Sequence, residues 1–316
     1  MRGRTRRLGV VAAVVVLALG WLAYTPDLPT AALERRYADG ASRFVQVGTQ
    51  RVHVRDEGAG PAIVLIHGTG ASLHTWDAWA VALRDSFRVV RFDLPGFGLT
   101  GPSATGDYSI EALTAFVGAA LDALQVPSAI LVGNSLGGEV AWQFALRAPA
   151  RVRGLVLVDP AGLPIDAPPP MAMRIARTPV VNALVRVVSP RALVRKSLLD
   201  VYANDALVSD TLVDRYWALL RRPGARDAFV RRVQGQRYAA DAPLERLAVP
   251  TLVVWGAADT WIPAALATEF VRRIPGASLA MIPDAGHVPH EEAPAATLAP
   301  VLRFISMLPR AVDVSP

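Results

Sequence analysis

The sequence predicts an eight-stranded, mostly parallel, doubly wound α/β sheet with an inserted helical cap and an N-terminal transmembrane helix. Three observations predict it. Six short, continuously apolar, β-branched runs alternate with amphipathic helical patterns, as expected of strands buried on both faces. The stretch 163–242 contains no strand pattern. An uncharged run from Leu8 to Tyr24 follows Arg2, Arg4, Arg6 and Arg7.

The N-terminal run sits at the short end of the roughly 17 to 25 residues that span a bilayer. Trp21 and Tyr24 fall at its far end, where amphipathic rings favour the interface. The arginines before it keep the N-terminus cytoplasmic by the positive-inside rule. Residues 1–25 therefore read as an uncleaved signal anchor, with the folded domain on the extracytoplasmic side of a membrane. The competing reading is a cleaved signal and a secreted protein, but Trp21 to Pro26 offers no clean small-x-small cleavage site. Residues 26–43 read as a linker with a short helix.

Phe44–Val47 and Arg51–Asp56 flank Gly48-Thr49-Gln50 and read as an antiparallel hairpin. The six buried runs follow: Ile63–Ile66, Val89–Phe92, Ile130–Val132, Leu155–Val158, Leu252–Trp255 and Leu279–Ile282. Helical patterns cover Trp76–Arg84, Ile110–Leu124, Leu136–Arg147, Ala264–Arg273 and Ala293–Ser306. Residues 44–162 and 243–310 thus form the sheet domain. The insertion 163–242 opens with Pro164 and Pro168-Pro169-Pro170 and continues as short amphipathic helices. So long a structureless loop does not fit a compact domain, so a helical cap is the better reading.

With 316 residues and 52% hydrophobic positions, the chain is long and apolar enough to exclude intrinsic disorder. The absence of cysteine excludes disulfides, thiol catalysis and cysteine-bound metals. The net charge of +6 gathers in the first residues and in 163–242, which holds 13 Lys/Arg against 7 Asp/Glu. No zinc-finger spacing, RNP-like run or basic zipper accompanies it, so a nucleic-acid partner is not expected.

Chemistry concentrates in Val132-Gly133-Asn134-Ser135-Leu136-Gly137, a G-x-S-x-G motif between a buried strand and an amphipathic helix. In that context the motif requires a sharp, strained turn that lifts the Ser135 hydroxyl above the carboxyl edge of the sheet. Gly133 and Gly137 are small because strand and helix pass too close for side chains. Leu136 offers its backbone N–H at a helix N-terminus, where negative charge is favoured.

Four further segments extend the pattern: His67-Gly68-Thr69-Gly70 after the third strand, Asp93-Leu94-Pro95-Gly96-Phe97-Gly98 after the fourth, Gly256-Ala257-Ala258-Asp259 after the seventh, and Asp284-Ala285-Gly286-His287 after the eighth. From about Phe44 to Met307 the chain resembles the α/β-hydrolase-fold serine hydrolases. The resemblance implies Ser135 as nucleophile, Asp259 as acid and His287 as base, in that family's chain order. It also implies an oxyanion hole from the backbone N–H groups of Thr69 and Leu136.

The chemistry needs these groups whatever the family. A serine hydroxyl is a weak nucleophile without a base. An imidazole can take its proton and later protonate the leaving group. A carboxylate holds the imidazole tautomer and stabilises its charged form. The expected activity is cofactor-free cleavage of an ester or similar acyl bond in a small, apolar substrate. Carbon–carbon bond hydrolases of the meta-cleavage type also carry Gly-Asn-Ser in the elbow. They usually have Trp after the histidine, where this chain has Val288. A non-catalytic binding protein on the same fold is the third reading.

Other residues receive blander assignments. Asp159, followed by Pro160, is a rival position for the acid. Asp93 is expected to cap a turn. His67 should order the oxyanion loop, His74 should line or flank the pocket, and His53 should sit on the polar face of a strand. His287 and His290 do not form a metal pair, because Pro289 breaks the helix that would align them and no H-E-x-x-H is present. Gly68-Thr69-Gly70 lacks the third glycine of a dinucleotide loop, Leu73 standing in its place. No metal or cofactor is expected. Met171, Met173, Tyr202, Tyr216 and Trp217 are candidates for an acyl pocket under the cap.

Overall fold

The computed structural model describes residues 24–238 and 241–309. A short helix α1 (Thr30–Tyr37) precedes the sheet strands β1 (Ser42–Val47), β2 (Gln50–Glu57), β3 (Ala62–Ile66), β4 (Arg88–Phe92), β5 (Ala129–Asn134), β6 (Val152–Val158), β7 (Thr251–Gly256) and β8 (Ser278–Ile282). The spatial order is β1-β2-β4-β3-β5-β6-β7-β8. β2 pairs antiparallel with both β1 and β4, and every pairing from β4 onward is parallel.

Helices cover both faces. Successive strand residues point to opposite sides, so Val64 and Ile66 join one buried cluster while Ile63 and Leu65 join the other. The first cluster packs against α3 (Ile110–Ala123) and α4 (Leu136–Arg147), the second against α2 (Asp77–Leu83). Ser109 caps α3 by accepting the Ala112 N–H, which fixes the start of that helix. The edge strand β8 departs from the expected burial on both faces. Leu279 and Met281 are each 40% exposed, because β8 is last in the order and one face is only partly covered.

Between β6 and β7 the chain forms α5 (Met171–Arg177), α6 (Val181–Val185), α7 (Arg191–Val201), α8 (Asp210–Leu220) and α9 (Ala225–Gly235), with no strand among the described residues. After β7 come α10 (Ala265–Arg273), α11 (Pro289–Glu292) and α12 (Pro294–Met307). Thr25 donates its N–H to Val187 O and Leu28 to Arg221 O, so the segment before α1 lies on this helical insertion.

The expected membrane anchoring needs correction. Among the described residues no helix is long and apolar enough to cross a membrane. The run Leu8 to Tyr24 lies almost wholly outside the described residues, and its last residue, Tyr24, is not helical. An extracytoplasmic, membrane-anchored placement therefore has no support in the fold.

Candidate active site

The turn between β5 and α4 has the strain its sequence demands. Ser135 sits at φ 54° and ψ −116°, a conformation that costs a non-glycine residue on the order of 1–3 kcal/mol. A Cβ at Gly133 would stand 2.2 Å from Gly137 O, and one at Gly137 2.2 Å from Ile66 O. Both glycines are required by backbone approach. The Ser135 N–H bonds Val158 O at 3.0 Å, and its carbonyl accepts Glu139 and Ala161 N–H groups, each at 3.0 Å. These bonds over-determine the turn.

His287 arrives from the loop after β8. Its Nδ1–H donates to Asp259 Oδ2 at 2.7 Å, with both side chains nearly or fully buried. Asp259 Oδ1 accepts the Trp261 and Ile262 N–H groups at 2.7 and 3.0 Å. The His287 backbone is held at both ends: its N–H bonds Val201 O at 2.8 Å, and its carbonyl accepts Asn134 Nδ2 at 3.0 Å. Ser135 and His287 line the same two cavities. The Ser135 hydroxyl makes no hydrogen bond to the ring, a contact that commonly tightens only when substrate is engaged.

Thr69 and Leu136 line one of these cavities beside Ser135. The Leu136 N–H opens α4 and has no intrahelical acceptor, and neither it nor the Thr69 N–H is spent on another backbone carbonyl among the described residues. His67 orders the Thr69 loop: one ring nitrogen donates to Gly68 O at 2.8 Å and the other accepts the Leu94 N–H at 3.0 Å. Burial lowers its pKa and keeps the ring neutral, as that pair of bonds requires.

The two cavities, each about 160 Å³, differ in character. One is apolar, walled by Leu193, Val194, Leu198, Phe229 and Val288. The other has a polar end formed by Arg177, Gln236 and Tyr238. Met173 and Trp261 border both. Of the other pocket candidates Tyr216 lines the apolar cavity, whereas Met171, Tyr202 and Trp217 line neither.

Asp93 is a structural cap: it accepts the Leu73 and Leu99 N–H groups, each at 2.7 Å, and the His53 ring at 2.8 Å. His53 is fully buried between Asp93 and Ser42, which corrects its expected place on a polar face. The Asp93 carboxylate supplies the partner that lets a polar ring be buried. His74 bonds Tyr37 O at 2.9 Å and lines a separate surface groove. His290 is buried against Trp76, with ring centroids 3.9 Å apart. Asp159, the rival acid, is brought to the same place as Asp259 and His287, one ligand-type atom of each lying within 4.8 Å of the others.

Sequence reasoning missed two contributors. Asn134 ties the elbow to the histidine loop, a role signalled only by its place before Ser135. Trp261 stacks on His287, and its one signal was its position two residues after Asp259.

Comparison with known proteins agrees with this geometry. Residues 61–294 match the family model described as alpha/beta hydrolase fold. The chain is 31% identical over 250 residues to 2-hydroxymuconate semialdehyde hydrolase of Pseudomonas sp. (strain CF600), covering 75% of this chain and 84% of that protein. It is 29% identical over 256 residues to 2-hydroxy-6-oxo-2,4-heptadienoate hydrolase of Pseudomonas putida, covering 78% and 89%. A solved structure of meta-cleavage product hydrolase from Pseudomonas fluorescens IP01 superposes with TM-score 0.71 at 26% identity, covering 84% of this chain and 97% of that one. The strained serine turn, the buried histidine–aspartate pair and the family match lead to one assignment: the chain is a hydrolase of the α/β-hydrolase fold family.

Proposed function

We propose that the protein is a cofactor-independent serine hydrolase that cleaves an ester or related acyl bond through an acyl-enzyme intermediate. Ser135 attacks the carbonyl. His287 takes the hydroxyl proton and returns it to the leaving group, and Asp259 holds the ring and stabilises its charged form. The N–H groups of Thr69 and Leu136 receive the oxyanion, each such donor contributing about 2.7–4 kcal/mol in the transition state. Water then releases the acyl group by the same route. One observation carries the reading: the 2.7 Å His287–Asp259 bond at a cavity shared with a strained serine.

The apolar cavity takes the acyl group and the polar-ended cavity the leaving group, with the helices of 163–242 acting as a cap over both. An apolar cavity of about 150 Å³ admits a benzene-sized guest, which fits a short or medium acyl chain better than a long one.

A second reading, hydrolysis of a carbon–carbon bond in a meta-cleavage dienoate, draws on the names of the similar Pseudomonas hydrolases and on Arg177 as a cation for a substrate carboxylate. Val288, where that group usually has Trp, weighs against it. A panel of p-nitrophenyl esters of increasing chain length, assayed beside a meta-cleavage dienoate, separates the two. The ester reading expects turnover of the shorter esters and little with the dienoate. The reverse preference overturns it. No turnover of either, with no fluorophosphonate labelling, would favour a binding protein instead.

A further inference from the structure

Asp159 is the buried group that the roles of Ser135, His287 and Asp259 leave unused. It directly follows β6, in the left-handed region at φ 44°, and is fully buried. Its Oδ1 accepts the Gly256 N–H at 2.9 Å, whereas Oδ2 has no N–H donor among the described residues. Oxygens of Asp159 and Asp259 and a ring nitrogen of His287 all lie within 4.8 Å of one another.

Such a trio has the donor types of a metal site, but its bonds are already committed. The His287 Nδ1 carries the hydrogen it donates to Asp259. Both Asp259 oxygens are occupied, Oδ1 by the N–H groups of Trp261 and Ile262 and Oδ2 by the ring. A proton fits where a cation does not. Two carboxyl groups this close in a buried site do not both ionise. Asp259, with three N–H donors, is the one that keeps its charge. Burial, then the charge of Asp259, with Glu292 adding to it, pushes the Asp159 carboxyl well above the usual carboxylate range.

We propose that Asp159 is a positioning residue that stands protonated and donates its O–H to Asp259, fixing the carboxylate that orients His287. This rests on the assignment of His287 and Asp259 given above. A fourth donor fixes the carboxylate more firmly, so the acceptor that holds the imidazole stays in one place. The same turn reaches the nucleophile, since the Ala161 N–H binds Ser135 O.

The test combines infrared spectroscopy with kinetics on purified Asp159→Asn, Asp159→Ala, Asp259→Asn and Ser135→Ala variants. A protonated-carboxyl C=O band is expected at about pH 7.5, above the ordinary carboxylate range, and its Asp159 component disappears in Asp159→Asn. A band from any other buried acid that stays protonated persists in that variant. Asp159→Ala lowers kcat about 10- to 100-fold with little change in KM, and Asp159→Asn, whose amide N–H replaces the O–H, recovers to within about fivefold of the parent. If Asp159→Ala does not fold, having lost the acceptor for Gly256, the Asn variant and the band still decide. Loss of activity in Asp159→Asn as deep as in Asp259→Asn overturns the proposal, as does a spectrum unchanged by Asp159→Asn. An active Ser135→Ala variant rejects the serine assignment itself, whereas an inactive one beside an unchanged spectrum rejects only the role of Asp159.

Discussion

Trp261 stacks on His287, with ring centroids 5.8 Å apart and planes inclined by 22°. The indole borders both cavities and lies near-parallel to the imidazole, while the Trp261 backbone N–H is bound to the carboxylate that holds the same imidazole. One residue thus touches the His287–Asp259 pair from two directions. Aromatic pairs contribute about 0.5–1.5 kcal/mol beyond their buried area. Trp261→Ala should therefore lower kcat/KM by roughly 3- to 10-fold, with Trp261→Phe recovering most of it. Steady-state kinetics on a p-nitrophenyl ester checks this, and an unaffected Ala variant would remove the stack from the account.

The carboxylate role is tested at Asp259. Asp259→Asn keeps the shape but presents an amide N–H to Nδ1, favouring the wrong tautomer. It should reduce kcat on the order of 10⁴-fold. Pre-steady-state acylation rates measure the effect at the step where the histidine acts as base.

Backbone crowding at the elbow predicts a folding defect. The Cβ of Gly137→Ala would meet Ile66 O at 2.2 Å, and backbone cannot move aside cheaply. The substitution should cost more than about 3 kcal/mol or prevent folding. Gly235→Ala is the control, since nothing lies within 4 Å of that Cβ. Urea midpoints for the two variants should differ widely.

A pH dependence follows from Glu139 on α4. It lies 3.6 Å from Arg232 on α9, with both side chains buried, and joins the elbow helix to the helical insertion. Burial raises its pKa to about 7 despite the opposing pull of Arg232. A carboxyl raised in the folded state favours folding most below its unfolded value near 4.5. That contribution is lost as the pH climbs through about 7, a change of about 3 kcal/mol over the whole interval. The melting temperature should therefore fall less steeply between about pH 5 and pH 7.5 in Glu139→Gln than in the parent. Parallel slopes would contradict the shift.

Much of the candidate site's placement was legible in the sequence because its determinants are local. Gly133 and Gly137 announce the elbow, and apolar runs announce the strands that set the loops of Asp259 and His287 side by side. The fully buried pairing of His53 with Asp93 was not legible, because alternation along β2 says nothing of a carboxylate presented from beyond β4. The convergence of Asp159 on Asp259 was also hidden, because it depends on β6 and β7 being neighbours in the sheet. The apolar run from Leu8 carried a strong hydropathy signal, yet the described fold contains no spanning helix to go with it.

The central claim is that His287, held by Asp259, makes Ser135 a nucleophile. Exposure to a fluorophosphonate followed by peptide mass spectrometry tests it most directly. One adduct is expected, on Ser135, absent in Ser135→Ala and formed on the order of 10³-fold more slowly or worse in His287→Ala. An adduct on another residue, or labelling of Ser135 at the same rate without His287, would contradict it.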